Sequence, residues 1–186
     1  MEDSRIVDLY WQRDQRAVEE TQAKYGRYCH AIANNILENA ADAEETVNDA
    51  WLGAWNSIPP HRPAMLGAYL GKLTRRAALT KWQAARAAKR GGGEAALVLE
   101  ELADCIPGGT DPERELEAAE LSRILRAFVD TLRPEERRVF VRRYWYLDSL
   151  DTIAAHRGES LSKVKSMLFR TRNKLRNHLK KEGYDL

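Results

Sequence analysis

The chain has little of what staples, metallates or anchors a protein. Its two cysteines, Cys29 and Cys105, lie far apart with no C-x-x-C between them, and its four histidines show no H-x-x-x-H spacing. A disulfide framework and a zinc site are therefore excluded as organising principles, and both cysteines read as reduced packing residues. No window of about 18 residues is free of charge, so no membrane span is expected. The opening stretch MEDSRIVDLYW is acidic where a secretory leader would be basic and then apolar, which points to a cytoplasmic protein without a membrane partner. Alternating strand patterns and internal repeats are also missing. Glu44, Glu45 and Asp49 form a carboxylate cluster, but no matched histidine, metal-ligand spacing or Gly-rich phosphate loop accompanies them. Acids in that setting read as a solvated helix face, so neither an enzyme nor a cofactor is expected.

What is present is charge, sorted along the chain. The net charge of +2 conceals four blocks. Residues 1–61 carry five bases against eleven acids, and residues 62–90 carry eight bases and no acid. Residues 91–130 carry three bases against ten acids, and residues 131–186 fourteen bases against seven acids. Two basic patches separated by an acidic stretch are not the signature of a randomly mixed solvated surface.

The acidic stretch is also where helices must break. KRGGGEAALVLEELADCIPGGTDPERE holds Gly91 to Gly93 and then Pro107, Gly108, Gly109 and Pro112, clusters through which a helix cannot run. Asp111 followed by Pro112 reads as an N-cap with proline at the first helical position. The expected organisation is all-α: an N-terminal helical domain over residues 1–90, an acidic Gly/Pro-containing linker over 91–111, and a C-terminal helical domain over 112–186. Both domains are near the lower size at which a domain folds alone.

Helical periodicity is strong within each domain. In DAEETVNDAWLGAWNSIPP, Ala43, Val47, Trp51, Ala54 and Ile58 recur at three or four, with Asp42 as a candidate cap and Pro59 and Pro60 as the stop. Glu45, Asn48, Asp49 and Leu52 fall together on the other face, an acidic strip containing one apolar residue. That strip is either a solvated face or a docking site for a basic partner. In the next segment, Leu66, Tyr69, Leu70, Leu73, Ala77 and Leu79 form the expected buried stripe, weakened in its first half by two glycines. Lys72, Arg75, Arg76, Lys81, Arg86, Lys89 and Arg90, with Trp82, surround it. Such a surface suits a phosphate backbone while the indole stacks on a base; the alternative is a Trp82 that merely packs the bundle.

The C-terminal tract reads as three helices. Pro134 starts the first, with Val139, Phe140, Arg143 and Tyr144 along it. A short second helix follows Asp148 or Ser149 and ends at Gly158. The third is capped by Ser160 and buries Leu161, Val164, Leu168, Leu175 and Leu179. A helix-turn-helix needs a small residue at the helix crossing, a glycine in the left-handed turn and an early apolar residue in the second helix. Ala154, Gly158 and Val164 meet those needs. Rotation by ~100° per residue places Ser162, Lys163, Ser166, Arg170 and Asn173 opposite the stripe, where a major groove would be read. Lys165, Arg172, Lys174 and Arg176 fall nearer the flanks, toward phosphates.

These segments together resemble a bacterial RNA polymerase sigma factor of the two-domain, extracytoplasmic-function type, from about Ile6 to Leu179. DAEETVNDAWLGAW is similar to the family's polymerase-binding helix, AYLGKLTRRAALTKW to its minus-ten helix, and DTIAAHRGESLSKVKSMLFRTRNKLR to its minus-thirty-five helix-turn-helix. The resemblance implies that Glu45, Asn48, Asp49 and Leu52 meet the coiled coil of the beta-prime subunit. It implies that Lys72, Arg75, Arg76, Lys81 and Trp82 serve the melted minus-ten strand. Ser162, Lys163, Lys165, Ser166, Arg170, Arg172 and Asn173 would then serve the minus-thirty-five element. The implied partners are core polymerase, through the beta-prime coiled coil and the beta flap, promoter DNA, and an anti-sigma factor as a regulator. The linker would thread the polymerase channel later used by nascent RNA. Three positions depart from the family pattern: Arg76 where asparagine is usual, Thr80 where aspartate is frequent, and Met167 where a basic residue is common. The competing expectation is a helix-turn-helix repressor or activator with an N-terminal ligand-binding or dimerisation domain, which requires a dimer and a palindromic site.

Overall fold

The computed structural model describes residues 1–88, 93–103 and 115–184, and they divide into two compact units, Met1–Gly93 and Glu94–Leu186. Helices α1 (Asp3–Trp11), α2 (Arg16–Leu37), α3 (Ala40–Ser57) and α4 (Leu66–Ala88) build the first. Helices α5 (Glu94–Ala103), α6 (Glu115–Thr131), α7 (Pro134–Tyr144), α8 (Leu150–Arg157) and α9 (Leu161–Lys181) build the second. No strand occurs among the described residues. The expected cap at Asp111 and Pro112, the bases Lys89 and Arg90, and Cys105 lie outside them.

In the N-terminal unit, α2, α3 and α4 pack on one another and α1 lies against α2. The core they share is Ile6, Tyr10, Cys29, Ala33, Val47, Trp51, Ala54, Ile58, Leu66 and Leu70. Helix α3 starts three residues, nearly one turn, earlier than Asp42 suggested. Asn39 is its N-cap, the side-chain oxygen accepting from the Asp42 amide at 3.1 Å. The helix stops at Ser57, before Pro59 and Pro60, which cannot donate to a preceding turn. Along α4 the buried stripe is Leu66, Leu70, Thr74 and Ala78, with Tyr69, Leu73, Ala77 and Leu79 half-buried beside it. Thr74 fits because its hydroxyl donates to the Leu70 carbonyl at 2.9 Å, which removes the cost of an unpaired buried hydroxyl. The two glycines are the reason α2 and α4 come close. A Cβ on Gly67 would sit 2.8 Å from the Tyr25 ring, and one on Gly71 2.5 Å from the Tyr28 hydroxyl oxygen.

The expected linker contains a helix. Helix α5, Glu94–Ala103, follows the glycine cluster and groups with the C-terminal unit, with Ala95, Ala96 and Val98 buried. In that unit α7 and α8 pack against α9, and α6 closes the other side. The core joins Ile124, Phe128, Val139, Phe140 and Ile153 to Val164, Leu168, Leu175 and Leu179. The rings of Phe128 and Phe140 meet edge to face at 5.8 Å, a favoured aromatic geometry.

Candidate functional site

The helix-turn-helix is built by local chemistry first. Ser149 caps α8 and Ser160 caps α9, each hydroxyl accepting the amide three residues on, from Thr152 at 3.1 Å and Lys163 at 3.3 Å. These bonds satisfy donors that a helix start leaves unpaired. Between the helices Gly158 adopts φ 61°, and the Glu159 amide donates to the Ala154 carbonyl at 3.1 Å. That left-handed turn suits glycine, which pays no Cβ penalty. Ala154 and Val164 are buried behind it.

Presented on this frame, Ser162, Lys163, Lys165, Ser166 and Arg170 are all exposed on α9. Lys163 is partly engaged: its Nζ lies 2.9 Å from Glu159, whose other partner is Arg157. The Arg157 hydrogen bond first, and Lys163 after it, hold the Glu159 carboxyl down at about 2. Asn173 is half-buried and accepts weakly from Arg176 at 3.4 Å.

Two bases expected near phosphates are taken up inside the unit. Arg172 donates to the Tyr144 hydroxyl at 2.9 Å and lies 3.4 Å from Glu101. Lys174 pairs at 2.8 Å with Glu136, itself only 6% exposed, and this bond is the main cause holding the Glu136 carboxyl below its ordinary value. Met167, the departure in the recognition helix, is buried and belongs to the core.

Sequence reasoning passed over Phe169, which is 58% exposed. It follows Ser162 and Ser166 at i+7 and i+3, so it shares their face. That spacing was the available signal.

In the N-terminal unit, Glu45, Asn48, Asp49 and Leu52 are all exposed on one face of α3, opposite the buried Ala43, Val47, Trp51 and Ala54. Leu52 is 59% exposed. Beside the strip, a groove of about 500 Å³ runs between α2 and α3, lined by Gln22, Arg27, His30, Glu44, Asn48 and Trp51 among others.

The basic face of α4 is divided. Lys72 and Arg76 are exposed, while Arg75 and Trp82 are half-buried. Burial pushes the Arg75 guanidinium down from its ordinary value. Lys81 turns to α3, with its Nζ 2.5 Å from Glu45 and 2.9 Å from Asp42. The acidic strip and the basic face are therefore neighbours linked by one lysine. The side chain of Arg86 lies outside the described residues. Met65, just before α4, is 71% exposed and was not singled out in the sequence.

Among the described residues no group of histidine, cysteine, aspartate and glutamate could hold a metal ion, and no helix is long and apolar enough to cross a membrane. What the arrangement offers is recognition: a polar and basic helix on a rigid turn, a basic helix bearing an indole, and an acidic strip.

Comparison with known proteins agrees with both halves. Sigma-70 region 2 matches residues 22–88, which span α2 to α4. Sigma-70 region 4 matches residues 128–177, from the end of α6 through most of α9. No curated protein matches the chain by sequence. A solved structure of CnrH in complex with the cytosolic domain of CnrY resembles it at 20% identity and a TM-score of 0.43, covering 97% of this chain and 99% of that one. With more than half of its length matched by regions 2 and 4, one in each compact unit, the chain belongs to the sigma-70 family of sigma factors.

Proposed function

We propose that this sigma factor, of the two-domain extracytoplasmic-function type, binds core RNA polymerase through α3 and recognises promoter DNA through α4 and α9. The observation that carries the reading is the simultaneous exposure of Glu45, Asn48, Asp49 and Leu52 on one face of α3, in the region 2 unit. An acidic strip ending in an exposed leucine offers a basic helical partner both charge complementarity and an apolar anchor. The coiled coil of the beta-prime subunit is the partner assigned to it. The adjoining groove beside Trp51 can receive a side chain of that partner.

No covalent chemistry falls to this chain. Its contribution is sequence recognition and capture of opened DNA. On α9, Lys165, Ser166 and Arg170 face base edges and phosphates of the minus-thirty-five element, and Phe169 is placed to meet a thymine methyl group. On α4, Lys72 and Arg76 supply charge along the melted minus-ten strand while Trp82 offers a stacking surface. Each patch alone binds weakly and loses affinity steeply with salt. Held a fixed distance apart on polymerase, the two act with a high effective concentration. An anti-sigma factor would regulate the protein by covering these same faces.

The test is co-elution of the purified chain with sigma-free bacterial core polymerase at moderate salt. A one-to-one complex is expected, and Asp49→Lys is expected to weaken it without changing the circular dichroism of the free chain. Arg170→Ala should leave the complex intact while reducing promoter discrimination by about 1–3 kcal/mol. Equal polymerase affinity for wild type and Asp49→Lys would remove the docking strip from the proposal. Elution as a free dimer would transfer the case to a palindrome-binding regulator.

A further inference from the structure

Helix α5 carries Glu94 and Glu101 seven residues apart, on one face of the helix. Both reach Arg143 of α7, a side chain 1% exposed. Arg143 pairs with Glu94 through one terminal nitrogen and with Glu101 through the other at 2.7 Å. Glu101 also accepts from the Tyr144 hydroxyl at 2.9 Å and stands 3.4 Å from the Arg172 guanidinium. Its carboxyl is thus the meeting point of two guanidiniums and a phenol. Burial pushes that carboxyl up, and Arg143, Tyr144 and Arg172 more than offset the push, so it lies below the ordinary carboxylate range.

Convergent guanidinium and hydroxyl donors around an anionic oxygen are the chemistry by which proteins take phosphate as readily as carboxylate. Arg172 is not a remote member of this set. At ~100° per residue it lies within about 20° of Lys165 around α9, on the edge of the exposed face. Released from Glu101, it would extend the row that runs from Lys165 past Phe169.

The hold of α5 is of a reversible kind. A ten-residue helix is too short to persist alone, so α5 owes its form to what it docks against. In the sequence, glycines precede it and Pro107 with two glycines follows it, so neither neighbour extends it as helix. Its two carboxylates are about a quarter exposed, at 25% and 24%, where salt weakens ion pairs. An open cleft of about 660 Å³ lies beside it, lined by Leu97, Glu100, Ser149 and Leu150 together with the ion-paired groups.

We propose that α5 is an intramolecular clasp on the region 4 unit, in which Glu101 fills an anion site formed by Arg143, Tyr144 and Arg172 that a phosphate of promoter DNA takes when α5 leaves. Docking of α5 and full engagement of α9 with DNA then exclude one another. The acidic helix lowers the DNA affinity of the free protein and is drawn off when DNA is bound. This rests on α9 being the DNA-reading helix.

The test uses the full chain and a random-sequence 20-bp duplex. Binding is read by fluorescence anisotropy between 50 and 200 mM salt, and amide exchange is followed in parallel. Duplex should raise exchange in residues 94–103 while lowering it in α9. Glu101→Gln should bind the duplex about three- to ten-fold more tightly at the low-salt end, with a salt slope steeper by about 0.9 for one added phosphate contact. Adding Arg172→Gln should cancel that gain. Glu100→Gln, the same charge change at an exposed neighbour, should give much less. The clasp is overturned if Glu101→Gln binds no more tightly than wild type, if the gain survives Arg172→Gln, or if Glu100→Gln matches it. It is equally overturned if α5 stays protected in wild type while α9 is protected by DNA, a result that needs no variant to fold. Absence of duplex binding by every protein, with α5 protected throughout, would instead bring down the DNA-reading role of α9, and the clasp with it.

Discussion

The two units solve the same problem, a small helical domain with a recognition surface, with different interiors. Among the described residues, the buried polar side chains of the N-terminal unit are threonines: Thr21, Thr46 and Thr74. Its ion pairs, such as Lys24 with Asp3, Arg16 with Asp14 and Lys81 with Glu45, lie on the surface. The C-terminal unit buries Glu136, Arg143 and Asp148, and pairs them with Lys174, Glu101 and Arg142 at 2.6–2.8 Å. Length accounts for part of the difference. Helices α2, α3 and α4 run for 22, 18 and 23 residues, whereas α7 and α8 have 11 and 8. Three long helices can bury apolar stripes against each other; two short ones against α9 leave gaps that arginine stems and their carboxylate partners fill. Buried ion pairs contribute little net stability, yet they are costly to break singly. One unit is therefore held mainly by packing and the other by packing plus charge.

The largest expected effects separate the two. Leu70→Ala empties a fully buried position in α4 and should cost the N-terminal unit about 4 kcal/mol. In thermal unfolding followed by amide exchange, α2 to α4 should lose protection while α7 to α9 keep theirs. Arg143→Met should do the reverse, costing the C-terminal unit about 3 kcal/mol because Glu94 and Glu101 lose their shared cation. The Arg143→Met loss should shrink in 1 M salt and the Leu70→Ala loss should not. Equal salt dependence would erase the distinction between the interiors.

A smaller substitution sharpens the same contrast from the neutral side. Tyr10 is fully buried and its hydroxyl shares a 2.9 Å bond with Thr21. Burial raises the phenol above its ordinary value, so the bond is a neutral one across the acid and neutral range. Tyr10→Phe should cost about 1 kcal/mol, unchanged between pH 5 and 8 in chemical denaturation. A loss that varied across that range would mean that a charge reaches this core.

Much of this was legible in the sequence where a single period decided the outcome. The strip of Glu45, Asn48, Asp49 and Leu52 and the turn of Ala154, Gly158 and Val164 follow from helical spacing and capping alone, and both are in place. The failures lie where two rules compete. Thr74 and Ala78 displaced Ala77 from the centre of the α4 stripe because a threonine can bond back to its own helix. Arg172 and Lys174 sit at the edge of the α9 stripe, where rotation alone does not decide between solvent and neighbour; Tyr144, Glu101 and Glu136 decided it. Those partners come from α5 and α7, between 28 and 71 residues away, and no local pattern announces them. The helix within the acidic stretch was bracketed by its glycines and prolines, but its attachment to Arg143 depends on tertiary contact and left no trace in periodicity.

The finest distinction between the units is expected in acid. In the C-terminal unit the Glu136 carboxyl is held low chiefly by its bond to Lys174, and the Glu101 carboxyl by Arg143 and its neighbours against the upward push of burial. A carboxyl whose value is lower in the folded than in the unfolded chain gives stability that is fully present above its unfolded value, about 4.3, and is lost as pH falls through the folded value. Stability of α7 to α9 should therefore hold from neutral pH down to about 5 and then decline. In the N-terminal unit Asp14 is held low by its surface neighbour Arg16, and Asp3, which ties α1 to α2, is pushed up by partial burial and brought down further by Lys24 and Tyr25. Asp3 is about a third exposed, at 34%, so α1 to α4 should decline less over the same interval. Following both units by tryptophan fluorescence and amide exchange from pH 6 to 3 reads the two slopes. Glu136→Gln should flatten the C-terminal slope, because the variant has no proton to gain, while starting from a lower plateau, since Lys174 then faces a neutral amide. A C-terminal slope that Glu136→Gln leaves untouched would place its acid sensitivity in other lowered carboxyls of the unit, such as Glu101 at the α5 contact and Glu159 beside Arg157.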